Sequence, residues 1–374
     1  MTGSNTVAAE RIFLVGWYGT DNLGDDAILD AVVAASRALG ISIDRFSTRR
    51  VTADPRAVCL RSREFWRYVT ACRRATRVVL GGGGILKDEG LGPLLEFLLT
   101  AVLARVFRRP VALLSVGVGP FYGAPGRLLI GAIARLASVR VVRDRESAAY
   151  LHRLGIRNVH VAADPIFSLS SAARAATELR RRRHRALFCV RPWFHIGRSK
   201  TIGTWDAFAE SLATIARGLL RAGWQVHFAC LYWPQDREAA FDVVARVSAD
   251  SRITVQSHSI GWSELVDDVR DAGVVIAMRY HCIAVAALAG VPTVALSYEP
   301  KVAALARELG LPRVSLDEPS FAERVEELAA GDAARVRESV PPPDADALAD
   351  LEARAWKGLR LALGGEAAEA QEST

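Results

Sequence analysis

Short apolar runs alternate along the chain with longer stretches whose apolar residues recur every three or four positions. In the first half, Ile12–Gly16, Arg77–Gly81, Val111–Val116 and Val139–Val142 read as strands, and Asp25–Leu39 and Pro125–Ala137 carry helical periodicity between them. The runs lack polar alternation, which marks strands covered on both faces. Strands of that kind separated by helices build a parallel sheet. The rhythm breaks at Ser168–Arg185, SLSSAARAATELRRRRHR, which is small, polar and then strongly basic. It resumes with Ala186–Arg191, Trp224–Leu231, Val274–Ala277 and Thr293–Ser297, and Pro341–Pro343 ends it before a last helix over Ala345–Leu363.

The pattern predicts an α/β protein of two doubly wound domains, over 11–168 and 186–340. A linker is expected at 169–185, a C-terminal helix at 341–363, and flexible ends at 1–10 and 364–374. The length of 374 residues agrees, since it exceeds what one core usually supports. Two such domains facing each other would form a cleft between the carboxyl ends of their strands, where ligands bind in open α/β sheets.

Composition narrows the function classes. Hydrophobic residues make up 51% and charged residues 24%, which excludes wholesale disorder. The net charge of +7 suits an anionic substrate or an anionic surface. No recognised nucleic-acid motif accompanies it, so nucleic acid is not an expected partner. MTGSNTVAAE has no apolar core for a signal peptide, and stretches such as Leu94–Phe107 are too short to cross ~30 Å of hydrocarbon. The expected location is the cytoplasm. Five cysteines, Cys59, Cys72, Cys189, Cys230 and Cys282, show no CxxC spacing. They argue against a disulfide framework or a zinc knuckle and read as small buried hydrophobes.

The candidate chemistry lies at strand ends. GWYGTDNLGDDAILDA, Gly16–Ala31, turns from strand to helix with three glycines, and Asp25 and Asp26 sit where a helix dipole favours negative charge. They either cap that helix or serve a ligand. The spacing is not GxGxxG. Gly81–Gly84 weaken a strand and suit close passage of a ligand or a tightly packed turn, with no Walker lysine following. SVGVGPF, Ser115–Phe121, repeats the glycine ending. Arg143 in VVRDRES is placed for a bidentate anion contact or for an ion pair with Asp144 or Glu146. Later strands end at Arg191 and just before Gln235 and Asp236. Finally, MRYHCIAVAALAGVPTVALSYEPKV brings Arg279, His281 and Lys301 to one predicted rim from adjacent crossovers.

In order, GWYGTDNLGDDAIL, GGGGILKD, SVGVGPF, VRDRES, ADPIF, VRPW and MRYHCIAVAALAGVPTVALSYEPKV resemble the polysaccharide pyruvyl transferase family, over roughly Ile12 to Leu309. The resemblance implies two Rossmann-like domains of GT-B-like architecture. It also implies transfer of the pyruvyl group of phosphoenolpyruvate to a sugar of a cell-envelope or exopolysaccharide precursor, with ketal formation and release of phosphate. By resemblance, Arg143, Arg279, His281 and Lys301 fall on the phosphoenolpyruvate side. Asn22, Gly24, Asp25, Gly82, Gly83 and Gly84 fall on the acceptor side. Glu299 departs from the aspartate of the family's YDPK form. His281 is then the expected general acid, because imidazole titrates near neutrality, and Asp25 the expected base. Neither a cofactor nor a metal is expected beyond the donor substrate.

A lipid-linked saccharide acceptor would bring the protein to the inner face of the membrane. ARVFRRP, Ala104–Pro110, and RRRRH, Arg180–His184, are then either lipid contacts or solvated basic faces. The rival readings are a sugar-nucleotide glycosyltransferase of the same architecture and a non-catalytic glycan-binding protein.

Overall fold

The computed structural model describes residues 10–48, 54–60, 64–88, 90–119, 121, 123–169, 184–192, 205–315 and 340–364. The chain divides into two compact units. One comprises Met1–Thr20, Asp25–Ser168 and Leu351–Thr374; the other comprises Asp21–Gly24 and Leu169–Asp350.

The first unit holds seven strands: β1 (Arg11–Val15), β2 (Ser42–Ser47), β3 (Ala57–Val58), β4 (Arg77–Leu86), β5 (Val111–Val118), β6 (Val139–Val142) and β7 (His160–Val161). Their order is β3-β2-β1-β4-β5-β6-β7, and every pairing is parallel. The helices between them serve as crossovers. Successive side chains of β1 divide between the two faces: Phe13 joins the cluster of Leu94, Phe97 and Ile133, and Ile12 and Leu14 join that of Ile28, Val32 and Leu359. An unbroken apolar strand is what two covered faces require.

The second cluster includes Leu359, Ala362 and Leu363 of the last helix, Ala345–Leu363. The sequence predicts a C-terminal helix at 341–363 without a packing partner; its apolar face completes the back of the first sheet. It sits so close that a Cβ at Gly358 would approach Ala162 to 2.7 Å. Each fully buried leucine there contributes roughly 1.5–3 kcal/mol.

The second unit holds β8 (Arg185–Cys189), β9 (Gln225–Phe228), β10 (Ile253–Val255), β11 (Val274–Ala277), β12 (Thr293–Ser297) and β13 (Arg313–Ser315). The order β10-β9-β8-β11-β12-β13 is again parallel throughout. The helix Tyr280–Leu288 follows β11, and its residues 282–288 are all buried. In both sheets the strand order reverses beside the first strand, between β1 and β4 and between β8 and β11. Ligand crevices in doubly wound sheets open at such reversals.

The expected domain boundary also shifts at the start, since Asp21–Gly24 count with the second unit. Residues 170–183 of the expected linker, the expected flexible ends 1–9 and 365–374, and Arg180–Arg183 of the second basic segment lie outside the described residues.

Candidate functional site

In the second unit the strand reversal brings Arg191, after β8, near Arg279, after β11. Arg279 is held by Asp236, which is fully buried and accepts from Arg279 Nε at 3.0 Å and from Nη2. The same carboxylate accepts from the backbone N–H groups of Leu231 and Tyr232, at 3.1 and 2.9 Å. Burial disfavours the Arg279 charge, but Asp236 more than offsets it and drives the guanidinium pKa upward. The loop so fastened holds residues 22–23: Leu23 N–H donates to the Leu231 carbonyl at 2.8 Å, and Asn22 bridges Tyr232.

Tyr298 and Glu299, after β12, form the hub of the remaining cations. Arg191 Nη1 donates to the Tyr298 hydroxyl at 2.8 Å, Tyr298 donates to Glu299, and Lys301 Nζ lies 2.8 Å from the same carboxylate. Burial pushes the Glu299 carboxyl up, but Lys301, the Tyr298 hydroxyl and Arg191 together outweigh it and hold the pKa down at about 2. Burial, then Glu299, pushes the Tyr298 hydroxyl upward. Arg191 Nε is buried without a hydrogen-bond partner among the described residues, so one donor of the fork remains uncommitted.

His281 opens the buried helix Tyr280–Leu288 and packs edge-on against Tyr280. Its ring fills the space where Gly24 has no side chain: a Cβ there would lie 2.0 Å from His281 Nδ1. Gly24 lies in the first turn of the helix Leu23–Ala38, where alanine is ordinarily favoured by up to about 1 kcal/mol. Gly24→Ala is therefore expected to displace the imidazole and lower turnover at least tenfold without lowering helix content; circular dichroism beside steady-state rates will check this.

In the first unit the reversal between β1 and β4 gathers Tyr18, Asp25 and the glycines. β4 runs on through Gly81–Gly84 to Leu86, past its expected end at Gly81. Gly82 and Gly83 take φ of +84° and +77°, and the register with β5 shifts between Gly83 and Leu86. Side chains there would strike Ile28 at 2.2 Å and the Asp25 carboxylate at 2.8 Å, so Asp25 lies directly against the glycine backbone. Asp26 accepts from Gly19 N–H at 2.8 Å, which closes the turn. Tyr18 donates to the Gly81 carbonyl at 2.5 Å; burial first, then Asp25, Asp26 and Asp164, keep its hydroxyl protonated.

Arg143 lies across Gly117, whose Cβ would meet Nη2 at 2.7 Å, and Gly84 is within ordinary contact. It faces Asp144 at 3.3 Å and Asp164 at 3.7 Å. Asp144 also caps the helix Arg145–Arg153 by accepting from Ser147 N–H at 2.7 Å.

The ten predicted residues thus divide between the units. Asp25, Gly82, Gly83, Gly84 and Arg143 lie in the first, and Asn22, Gly24, Arg279, His281 and Lys301 in the second. Asn22 and Gly24, expected with the N-terminal acceptor side, join the Arg279 and His281 side because their backbone is fastened to Leu231 and Tyr232. Each predicted Arg or Lys also has a carboxylate partner: Asp236, Glu299, or Asp144 with Asp164. Asp236, Tyr298 and Glu299 were missed as members of the site. Their signals were a position just past strand ends and, for Glu299, its departure from the YDPK form, neither of which assigned a role.

Glu299 gives a pH signature. Its folded pKa lies below its ordinary value of 4.5, so its contribution is complete above about 4.5 and fades as pH falls through about 2. Glu299→Gln is expected to be less stable by roughly 1–3 kcal/mol at pH 7, with the two stability curves converging toward pH 2; acid-dependent melting will check it. Among the described residues, no group of three or more His, Cys, Asp or Glu is arranged to hold a metal ion.

The family model described as polysaccharide pyruvyl transferase matches residues 22–300. No curated protein matches the chain. Among solved structures, the chain is similar to UDP-GlcNAc 2-epimerase from Methanocaldococcus jannaschii at 12% identity and a TM-score of 0.61, covering 94% of this chain and 98% of that one. The Neisseria meningitidis UDP-GlcNAc 2-epimerase, solved with UDP-GlcNAc, gives 10% identity and 0.58 over 95% and 99%. An alpha-glucosyltransferase solved with UDP and DNA gives 10% and 0.53 over 94% and 95%. At such identities the likeness speaks for the fold alone, a GT-B-type two-domain α/β architecture.

Proposed function

The chain belongs to the polysaccharide pyruvyl transferase family, and from that premise we propose that it moves the pyruvyl group of phosphoenolpyruvate onto a saccharide of a cell-envelope or exopolysaccharide precursor. The observation that carries the reading is the family match over 22–300, which spans nine of the ten predicted residues and stops one short of Lys301.

The donor carries a carboxylate and a phosphate on three carbons, and the second unit offers cations suited to both. Arg279 is fixed on Asp236 through Nε and Nη2, which leaves Nη1 to meet the donor, and Arg191 adds its uncommitted donor. Lys301 supplies a point charge that exchanges Glu299 for a phosphate oxygen. Asp236 and Glu299 hold two of these cations, Arg279 and Lys301, in place for the donor's carboxylate and phosphate.

His281 protonates the methylene carbon of the enol, and the neighbouring carbon gains oxocarbenium character. A sugar hydroxyl attacks that carbon and gives its proton to a base, the role assigned to Asp25. A second hydroxyl then displaces the phosphate: a carbon–oxygen bond to the sugar forms, the bond to phosphate breaks, and the hydroxyl proton leaves with the phosphate. The products are a cyclic ketal and inorganic phosphate.

A second reading, a sugar-nucleotide-dependent transferase, draws on similar structures named for UDP-GlcNAc and UDP. Phosphate release from phosphoenolpyruvate across a saccharide panel, with the added group read by mass spectrometry, tests the first. Thermal stabilisation by UDP-sugars, with none by phosphoenolpyruvate, would favour the second.

A further inference from the structure

The helix Leu91–Val106 is apolar on two opposite sides. Leu94, Phe97, Ala101 and Ala104 are buried against the first unit's core. Leu91, Leu95, Leu99, Val102 and Val106 recur at steps of four, four, three and four and fall within an arc of about 80°. They are 41% to 67% exposed. The two helices that pack on this one also expose large apolar side chains, Trp66 on Phe65–Arg74 at 74% and Leu128 on Ala124–Leu136 at 73%. Of the nine large exposed hydrophobics among the described residues, eight lie on these three helices. That clustering separates the face from the scattered exposed leucines of ordinary surfaces.

The charge on the same helices is one-sided. Within their spans they carry Arg67, Arg73, Arg74, Arg105, Arg127 and Arg135 against a single acid, Glu96, and of these Arg67 is paired with Glu64 at the cap of Phe65–Arg74. The loop after Val106 adds Arg108 and Arg109, and Arg109 Nε donates to the Arg73 carbonyl at 3.1 Å. Arginines from two helix ends therefore meet where the apolar stripe stops.

We propose that this three-helix face docks on an anionic lipid surface, with the helix Leu91–Val106 lying in the plane of the interface. Apolar side chains flanked by arginine suit the boundary between acyl chains and anionic headgroups. A second copy fits less well, because a two-fold contact through this face would set like charge against like. No helix among the described residues is long and apolar enough to cross a membrane, so contact of this kind is peripheral. The inference does not rest on the reaction proposed above, and its test uses no substrate.

The full chain is to be sedimented with vesicles of phosphatidylcholine alone and of equal parts phosphatidylcholine and phosphatidylglycerol. It is expected to sediment with the anionic vesicles at low salt and to be released at about 0.5 M salt. Arg105→Gln with Arg108→Gln should lower partitioning by roughly fivefold per charge removed. Leu95→Glu with Leu99→Glu should lower it at least tenfold and leave the melting temperature unchanged, since both side chains are exposed. Failure of the unaltered chain to sediment, or unchanged binding by the double glutamate variant, would overturn the proposal. So would a dimer in vesicle-free ultracentrifugation that the same variant dissociates, which would assign the face to a second copy.

Discussion

Alanine at position 281 is expected to reduce turnover by about 10²–10⁴-fold, the usual contribution of a positioned general acid, while phosphoenolpyruvate still stabilises the protein against heat. The basis is location. His281 begins a helix whose next seven residues are buried, so its backbone is fixed by packing. Its imidazole occupies the space left by Gly24, so the ring has a defined seat. The arginines that would hold the donor are anchored independently, Arg279 on Asp236 and Arg191 on Tyr298. Removing the imidazole should therefore spare binding and remove proton delivery. Rates of phosphate release and thermal shifts with phosphoenolpyruvate decide it: near-normal turnover would take His281 out of the chemistry, and loss of the thermal shift would make it a binding residue.

Replacing Asp236 with alanine is expected to destabilise the second unit by about 3–5 kcal/mol, the range for stripping one partner from a buried ion pair. Asp236 has no solvent exposure and receives hydrogen bonds from two backbone amides as well as from two nitrogens of Arg279. Its loss would leave a largely buried guanidinium uncompensated and free the loop that fastens Asn22 and Leu23. Urea denaturation measures the cost. A cycle with Arg279→Gln tests the cause, because the double variant should lose markedly less than the sum of the singles. Additive losses, or a cost below about 1 kcal/mol, would remove Asp236 as the anchor.

The central strands were plain from hydropathy: Val139–Val142, Val274–Ala277 and Thr293–Ser297 lie where the apolar runs place them, as does the final helix Ala345–Leu363. Others were not. Ser42–Ser47, second from its sheet's edge, and the edge strand Ile253–Val255 are short or partly exposed and carry too few apolar residues to stand out. Likewise, a run of residues shows that a segment is buried but not against what. The last helix therefore gave no sign that its leucines serve the first sheet. The cationic residues of the site were visible at strand ends, but their partners were not. Asp236 lies 43 residues from Arg279, and only the sheet order brings them together. Gly24 looked like a turn residue; its role as the seat of an imidazole depends on a contact across 257 positions, which spacing cannot express.

The first unit is completed by residues from 351 onward, while all but four residues of the second form one continuous span. Translation therefore delivers the finishing piece of the earlier unit last. While the ribosome works through the second span, the face of the first sheet already lined by Ile28 and Val32 still lacks the cover that Leu359 and Leu363 will bring.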